Sequence, residues 1–357
     1  MSHHNWMDDF GELDDLSAIP RIRNVGRDRA RKGKAGSIKR SNFAPDGVVE
    51  PADYEDLLSE YPFTYNASRH ERVWITESLS GFYDQQWFTD VLRQIKGGKE
   101  ASVYQCLASE TLEVPYLAAK IYRPRRFRNL KKDHIYREGR EDLDENGNVI
   151  RNDGLLHAMK KRTDFGKQLL HTSWIEHEVQ TMHILHQAGA DVPVPYASGD
   201  NAILMSYIGG DEMAAPGLNA VDLEPEEVRP LFERVVKNIE LMLANNRVHG
   251  DLSAYNILYW EGEITLIDFP QAVDPRQNRS AYPIFLRDVT RICEYFNRQG
   301  LRISARRLAD DLWTAYGFRL TPEVHPALLD DQDEADVALW RSQEKTQPAQ
   351  PANRRRM

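Results

Sequence analysis

The sequence predicts an α+β protein in two lobes, a small β-rich N-terminal lobe followed by a mainly helical C-terminal one. Three observations predict it. A strand, glycine turn, strand pattern runs from residue 83 through Gly97 and Gly98 to Leu107, and a third strand-like run follows at 114–122. Helical spacing appears at 174–185, where Ile175, Val179, Met182 and Leu185 form one apolar stripe. After two short strands at 194–197 and 202–207, helical patterns dominate, notably at 226–245 and 283–298. With 357 residues, 41% of them apolar, the chain is long enough for two domains or one large two-lobed one.

The organisation follows from composition. Residues 21–40 hold nine Lys or Arg against one Asp with almost nothing to bury, so residues 1–49 are expected to form a disordered basic arm. Residues 50–208 are expected to form the N-lobe, with a helical extension at its start and a charged insertion at 124–163. That insertion carries turn residues at 145–148 and is expected to be mobile. Residues 209–325 form the expected C-lobe, and residues 326–357 a polar tail.

The net charge of −9, from 46 Lys and Arg against 55 Asp and Glu, excludes a polycation. Any RNA or ribosomal contact would therefore fall to the basic arm at 21–40. No apolar run is long enough to span a membrane, and the acidic start is unlike an export signal, so no membrane partner is expected. Only Cys106 and Cys293 are present, which excludes a disulfide framework and makes the cytoplasm the expected compartment.

Two charges sit where apolar residues belong. Lys120 lies within a strand that should be mostly buried, and Glu178 lies inside the apolar helix stripe; either alone would cost several kcal/mol. Paired across the small lobe, they solve each other's problem and leave an ammonium to touch the phosphates of ATP. A lysine snorkelling from an edge strand, with Glu178 at the stripe's margin, is the alternative. The turn Lys96-Gly-Gly-Lys-Glu-Ala-Ser-Val103 would let backbone N–H groups approach phosphate, though a plain hairpin turn reads the same way.

The most specific motif is His249-Gly-Asp-Leu-Ser-Ala-Tyr-Asn256, followed after a short hairpin by Ile267-Asp268. In protein kinases such a loop supplies a carboxylate that takes the acceptor's proton, an Asn on one metal ion and an Asp that bridges metals. Hard oxygen ligands suit Mg²⁺ or Mn²⁺.

Over about residues 90–298 the chain resembles a RIO-type atypical serine/threonine protein kinase, closest to the type-one branch. The resemblance rests on Gly98-Lys-Glu-Ala-Ser-Val-Tyr104, Ala119-Lys-Ile-Tyr122, Trp174-Ile-Glu-His-Glu178, Leu204 to Gly209 with Asp211 to Pro216, the 249–256 loop, and Ile267-Asp-Phe-Pro-Gln-Ala-Val273. It implies a protein-kinase-like fold that lacks a long activation loop and substrate-binding subdomains. It implies Lys120 and Glu178 as the ion pair, Asp251 as catalytic base, and Asn256 and Asp268 as metal ligands. It further implies Gly98, Lys99 and Ser102 at the phosphate loop, Met205 at the back of an adenine pocket, and Ser206 and Ile208 as hinge. Phosphoryl transfer from ATP, with Mg²⁺ or Mn²⁺, to a protein or to the chain itself is the implied activity.

The departures also carry information. Phe269-Pro270 stands where a kinase has Phe-Gly, Gly250 replaces the arginine before the catalytic Asp, and no Ala-Pro-Glu segment follows. Switching by activation-loop phosphorylation and an extended peptide platform are therefore not expected. The resemblance supports a second reading, an ATPase switch in small-subunit maturation with a transient phosphate on Asp268. A third is a small-molecule kinase, since aminoglycoside phosphotransferases share the His-Gly-Asp loop, although Gly98 to Ala101 and Asp211 to Pro216 are unlike them. A pure binding module is the fourth, against a full set of catalytic residues. His171, His177, His183 and His186 are expected at the surface, not on a metal.

Overall fold

The computed structural model describes residues 63–98, 100–123, 133–199 and 201–320, together with residue 337. The chain divides into units at 1–44 and 45–357, and every described residue belongs to the second. The basic arm at 21–40, Lys99, the first part of the insertion at 124–132 and the tail at 326–357, apart from residue 337, lie outside the described residues.

The N-lobe is one antiparallel sheet in the order β1-β2-β3-β5-β4. Its strands are β1 (Phe88–Gly97), β2 (Ala101–Ala108), β3 (Tyr116–Tyr122), β4 (Pro195–Ser198) and β5 (Ala202–Ser206). Central β3 has neighbours on both sides and cover on both faces, which is why its sequence is an unbroken apolar run around one lysine. Helix α1 (Arg69–Asp84), capped by Ser68, lays Ile75, Leu79 and Phe82 over the outer face against Tyr104, Leu117 and Ile121. The opposite face turns Ala118, Tyr122, Ile203 and Met205 toward the second core, shared with the helices that follow.

The insertion departs from expectation, since its described part is folded. A short helix α2 (Asp133–Arg137) leads to a turn in which Asp144 Oδ1 accepts the amides of Asn146 and Asn148, both at 2.9 Å. Helix α3 (Asp153–Lys161), capped by Asn152, then buries Met159 with Ile150 and Leu170. Its few apolar residues are enough because they pack on α4 (Asp164–Gln187), and Gly166 lets the two helices touch. A Cβ there would sit 2.0 Å from the Ala158 carbonyl oxygen. This close approach helps explain why α4 starts well before its apolar stripe: its first turns pack against α3. Ile175, Val179, Met182 and Leu185 are all buried along that stripe.

The C-lobe is built on α5 (Pro225–Ala244), α6 (Ala281–Arg298) and α7 (Ala305–Ala315), around Val235, Ile239, Phe285, Phe296 and Trp313. Pro225 opens α5, and the Glu227 carboxylate accepts the Glu224 amide at 3.1 Å. A hairpin of β6 (Ile257–Trp260) and β7 (Glu263–Leu266) turns at Glu261 and Gly262, both with positive φ. No helix among the described residues is long and apolar enough to cross a membrane.

If α1 belongs to the N-lobe core, then Leu79→Ala, at a fully buried position, costs about 2–5 kcal/mol of stability in denaturant unfolding. A cost below about 0.5 kcal/mol, the range of surface substitutions, would contradict that packing.

Candidate functional site

Lys120 reaches the interface of the two lobes from the middle of β3, paired to Val103 on one side and Ile203 on the other. Its ammonium stands 2.7 Å from Glu178 Oε1 and 2.6 Å from Asp268 Oδ1. The Tyr122 hydroxyl donates to the second oxygen of Glu178. Glu178 is 1% exposed and Lys120 8%, so the cluster is stable only as a unit, with each charge answered by another. Burial alone would push the Lys120 amine down, but the carboxylates of Asp268 and Glu178 outweigh it and hold it well above its ordinary value. Burial would likewise raise the Asp268 carboxyl, yet the charge and hydrogen bond of Lys120 hold it below its ordinary 3.8. The Asp268 side chain keeps 42% of its surface open. Its backbone has φ +74°, a left-handed conformation that costs a non-glycine residue roughly 1–3 kcal/mol and turns the carboxylate toward Lys120.

The loop between α5 and β6 carries the second group. Val248 pairs with Val273, and His249 shares a ring-nitrogen hydrogen bond with the Ile267 carbonyl at 3.1 Å, so this loop and the Asp268 segment are knitted together. Gly250 lies at φ +84° with the Gln271 carbonyl oxygen 2.2 Å from where a Cβ would be. The arginine a typical kinase places here would not fit. Asn256 donates from Nδ2 to the Asp251 carbonyl at 2.9 Å and to Asp251 Oδ2 at 3.3 Å. Ile267 N in turn donates to the Asn256 carbonyl at 3.0 Å, which sets Asn256 beside Asp268.

Three residues of this site were missed by sequence reasoning, all on α6. Asp288 is buried and accepts the Gly250 amide at 2.8 Å; burial raises its pKa, and Arg287 beside it pulls it only part of the way back. Arg287 donates to the Gly250 carbonyl and, at 3.1 Å, to Asp288 Oδ1. Arg291 holds Asp251 Oδ1 at 2.7 Å. The signal was present: Asp288 falls among buried Phe285, Val289 and Ile292, a carboxylate on an apolar face as Glu178 is.

Between the lobes lies a cleft of about 690 Å³, with Asn256 buried behind it and not on its wall. Lys120, Glu178, Asp251 and Asp268 face it, as do Gly98, Met205, Ser206 and Ile208. Ser102 does not: its neighbours Ala101 and Val103 line the cleft, and strand alternation turns Ser102 to the other face, fully buried. This corrects the expectation of a Ser102 side chain at the phosphate loop. Two of the histidines also differ from expectation, being half-buried with partners: His171 meets Asn201 Oδ1 at 3.1 Å and His177 the Glu141 carbonyl at 2.6 Å. Among the described residues no three His, Cys, Asp or Glu side chains gather as a metal cage. Asn256 and Asp268 instead offer two hard oxygens beside an open cleft, a donor set that fits Mg²⁺, which keeps waters and takes phosphate oxygens as further ligands. With Asn256 Nδ2 committed to Asp251, the amide oxygen is the atom left for a cation.

A family model described as the RIO domain matches residues 102–308, more than half of the chain. The RIO-type serine/threonine-protein kinase Rio1 of Haloferax volcanii is 29% identical over 58% of this chain and 63% of its own. The human serine/threonine-protein kinase RIO1 is 30% identical over 38% of this chain and 24% of its own. The chain thus spans less than two thirds of the length of these relatives. A crystal structure of the Rio2 kinase of Chaetomium thermophilum, an ADP/Mg²⁺-phosphoaspartate complex, has a TM-score of 0.48 at 21% identity, covering 77% of each chain.

The depressed pKa of Asp268 gives a signed prediction for the metal- and nucleotide-free protein. Its stabilisation is complete above the ordinary value of 3.8 and is lost as pH falls through the lower folded value. Asp268→Asn therefore costs more stability near pH 7 than near pH 3 in denaturant unfolding. Equal costs at both would show that charge is not what Asp268 supplies.

Proposed function

The chain belongs to the RIO family, and from that premise we propose that it is an ATP- and Mg²⁺-dependent serine/threonine protein kinase of the type-one branch, acting on a protein hydroxyl or on itself. The observation that carries the reading is Lys120 Nζ, 2.7 Å from Glu178 and 2.6 Å from Asp268, in a cleft that Asp251 also lines. The Rio1 name of the archaeal relative supports the branch.

In this reading the adenine lies against Met205, with backbone groups of Ser206 and Ile208 at its edge, and the phosphates run toward Gly98 and Lys120, with Lys99, outside the described residues, as a further cation for them. Lys120 keeps Glu178 and turns its remaining N–H groups from Asp268 to the phosphates. Asp268 and Asn256 are the residues that would hold Mg²⁺, and the charge neutralisation it would supply there suits a transferring phosphoryl group. Asp251, fixed through Oδ1 by Arg291 and through Oδ2 by Asn256, aligns the acceptor hydroxyl and takes its proton.

One observation favours a second reading, an ATPase switch of the kind that drives release in small-subunit maturation. From Asp268 the chain reaches α6 through residues 269–280 alone, which is little room for a platform under an extended peptide. The basic arm at 21–40 would then be the contact to RNA or the ribosome.

Purified protein incubated with γ-labelled ATP and Mg²⁺, beside Asp251→Ala and Asp268→Ala, separates the readings. The kinase reading expects acid-stable label on Ser or Thr, lowered about 10²-fold or more in both variants. Free phosphate in large excess over protein label would favour the ATPase, and no turnover of either kind would overturn both.

A further inference from the structure

Residues 135–143, within the insertion, touch three parts of the site that are far apart in sequence. The Tyr136 hydroxyl accepts from Arg287 Nη1 at 3.0 Å, and the same guanidinium donates to the carbonyl of Gly250, the residue before Asp251. Asn278 Nδ2 donates to the carbonyls of Ile135 at 2.7 Å and Glu138 at 3.3 Å, and Glu138 pairs with Arg279 at 2.9 Å. Gly139, at φ +74°, presses so closely on Gln277 that a Cβ would stand 2.6 Å from the Gln277 Cβ. Arg140 Nη2 donates to the carbonyls of Pro270 at 3.1 Å and Ala272 at 2.6 Å. The segment then crosses to α4, where the His177 ring donates to the Glu141 carbonyl at 2.6 Å and the Leu143 amide to Ser173 Oγ at 2.9 Å. His177 is held neutral, pushed down to about 3 by burial and then by the charge of Arg140.

The backbone after Asp268 is irregular, so its carbonyls lack the partners that a helix or strand would give them. Arg140 supplies partners on either side of Gln271. The Gln271 carbonyl is the group against which Gly250 closes. Fixing residues 270–272 therefore fixes both the approach to Asp268 and the place of Asp251. Fixing Glu141 and Leu143 ties the same segment to the helix that carries Glu178. Arginine suits the task because one planar, permanently charged group can serve two acceptors.

We propose that residues 135–143 are an internal strap that sets the Glu178 helix, the Asp251 loop and the Asp268 segment in register, with Arg140 and Tyr136 as positioning residues for phosphoryl transfer. The catalytic half of this proposal rests on the kinase reading above. The strap does within the chain what a phosphorylated activation loop does elsewhere, and Gly250 has no side chain with which to read such a phosphate.

The test uses the full chain, with Arg140→Gln, Arg140→Lys and Tyr136→Phe beside the exposed-surface control Arg306→Ala, each checked by thermal melting. Two readouts are taken: hydrogen exchange at 249–252 and 268–273, and the split between kcat and KM for ATP. Arg140→Gln is expected to speed exchange at 268–273 about tenfold. It should also lower kcat about 10- to 100-fold with KM changed less than about threefold, and Arg140→Lys should recover part of this. Tyr136→Phe, which keeps the ring and so folds if Arg140→Gln does not, speeds exchange at 249–252 and lowers kcat about threefold. Unchanged exchange in both variants would overturn the strap, and faster exchange with unchanged kcat would overturn the positioning role. A wild type without turnover would sink the kinase reading, while the exchange arm still decides whether the strap exists.

Discussion

The arrangement depends on one buried ammonium. Lys120 sits at the centre of the sheet with both neighbours occupied, and it is stable there only because Glu178 and Asp268 meet it at hydrogen-bonding distance. One partner comes from a helix of the N-lobe and the other from a loop of the C-lobe. A desolvated charge thus sets the relative position of the lobes more strictly than apolar contact would, since apolar packing has no preferred direction. Asp268 is the partner that can leave, being the more exposed of the two carboxylates. Its release would free Lys120 for another anion and Asp268 for a cation.

The rest of the site supports that exchange. Asp268 holds a left-handed backbone angle, Gly250 closes on Gln271, and the carbonyls around Gln271 are gathered by Arg140. Asp251 is aligned from two sides by Arg291 and Asn256, and its loop is anchored below by Asp288 and Arg287. Apart from Asn256 to Asp251, which closes within one loop, these contacts link segments far apart in sequence, so the cleft depends on the whole fold as well as on the local motif. Most of these contacts are charge-assisted hydrogen bonds in partly dry surroundings, where geometry is held tightly.

Much of this was legible in the sequence wherever a residue broke a pattern. Glu178 interrupts an apolar stripe and Lys120 an apolar strand, and the physical demand that buried charges be paired suggests joining them, a pairing that the 2.7 Å contact decides over a lysine snorkelling from an edge strand. The same demand would have found Asp288, which is buried on α6 as Glu178 is on α4. Arg291 and Arg140 were not legible, because an arginine at a half-exposed position looks like a solvated surface group until its partner is known. Ser102 differs for another reason: the resemblance implied a place at the phosphate loop, whereas the two-residue period of β2 sends its side chain to the opposite face. The insertion is expected to be mobile because charge dominates its composition, yet its described part is folded. Residues 153–161 pack through Met159 and the Gly166 approach, and residues 135–143 bond to backbone groups of distant segments, which no local pattern encodes.

The most direct test of the central claim is a double-mutant cycle on stability with Lys120→Met and Glu178→Gln. Lys120→Met leaves a buried carboxylate without its cation, and Glu178→Gln leaves the ammonium with half its counter-charge, so each should cost about 3–5 kcal/mol in denaturant unfolding. The pair together should cost less than the sum by more than about 1 kcal/mol, since the double variant leaves only the more exposed Asp268 without its cation. Simple addition of the two costs would contradict the claim that Lys120 and Glu178 are stable only as a unit.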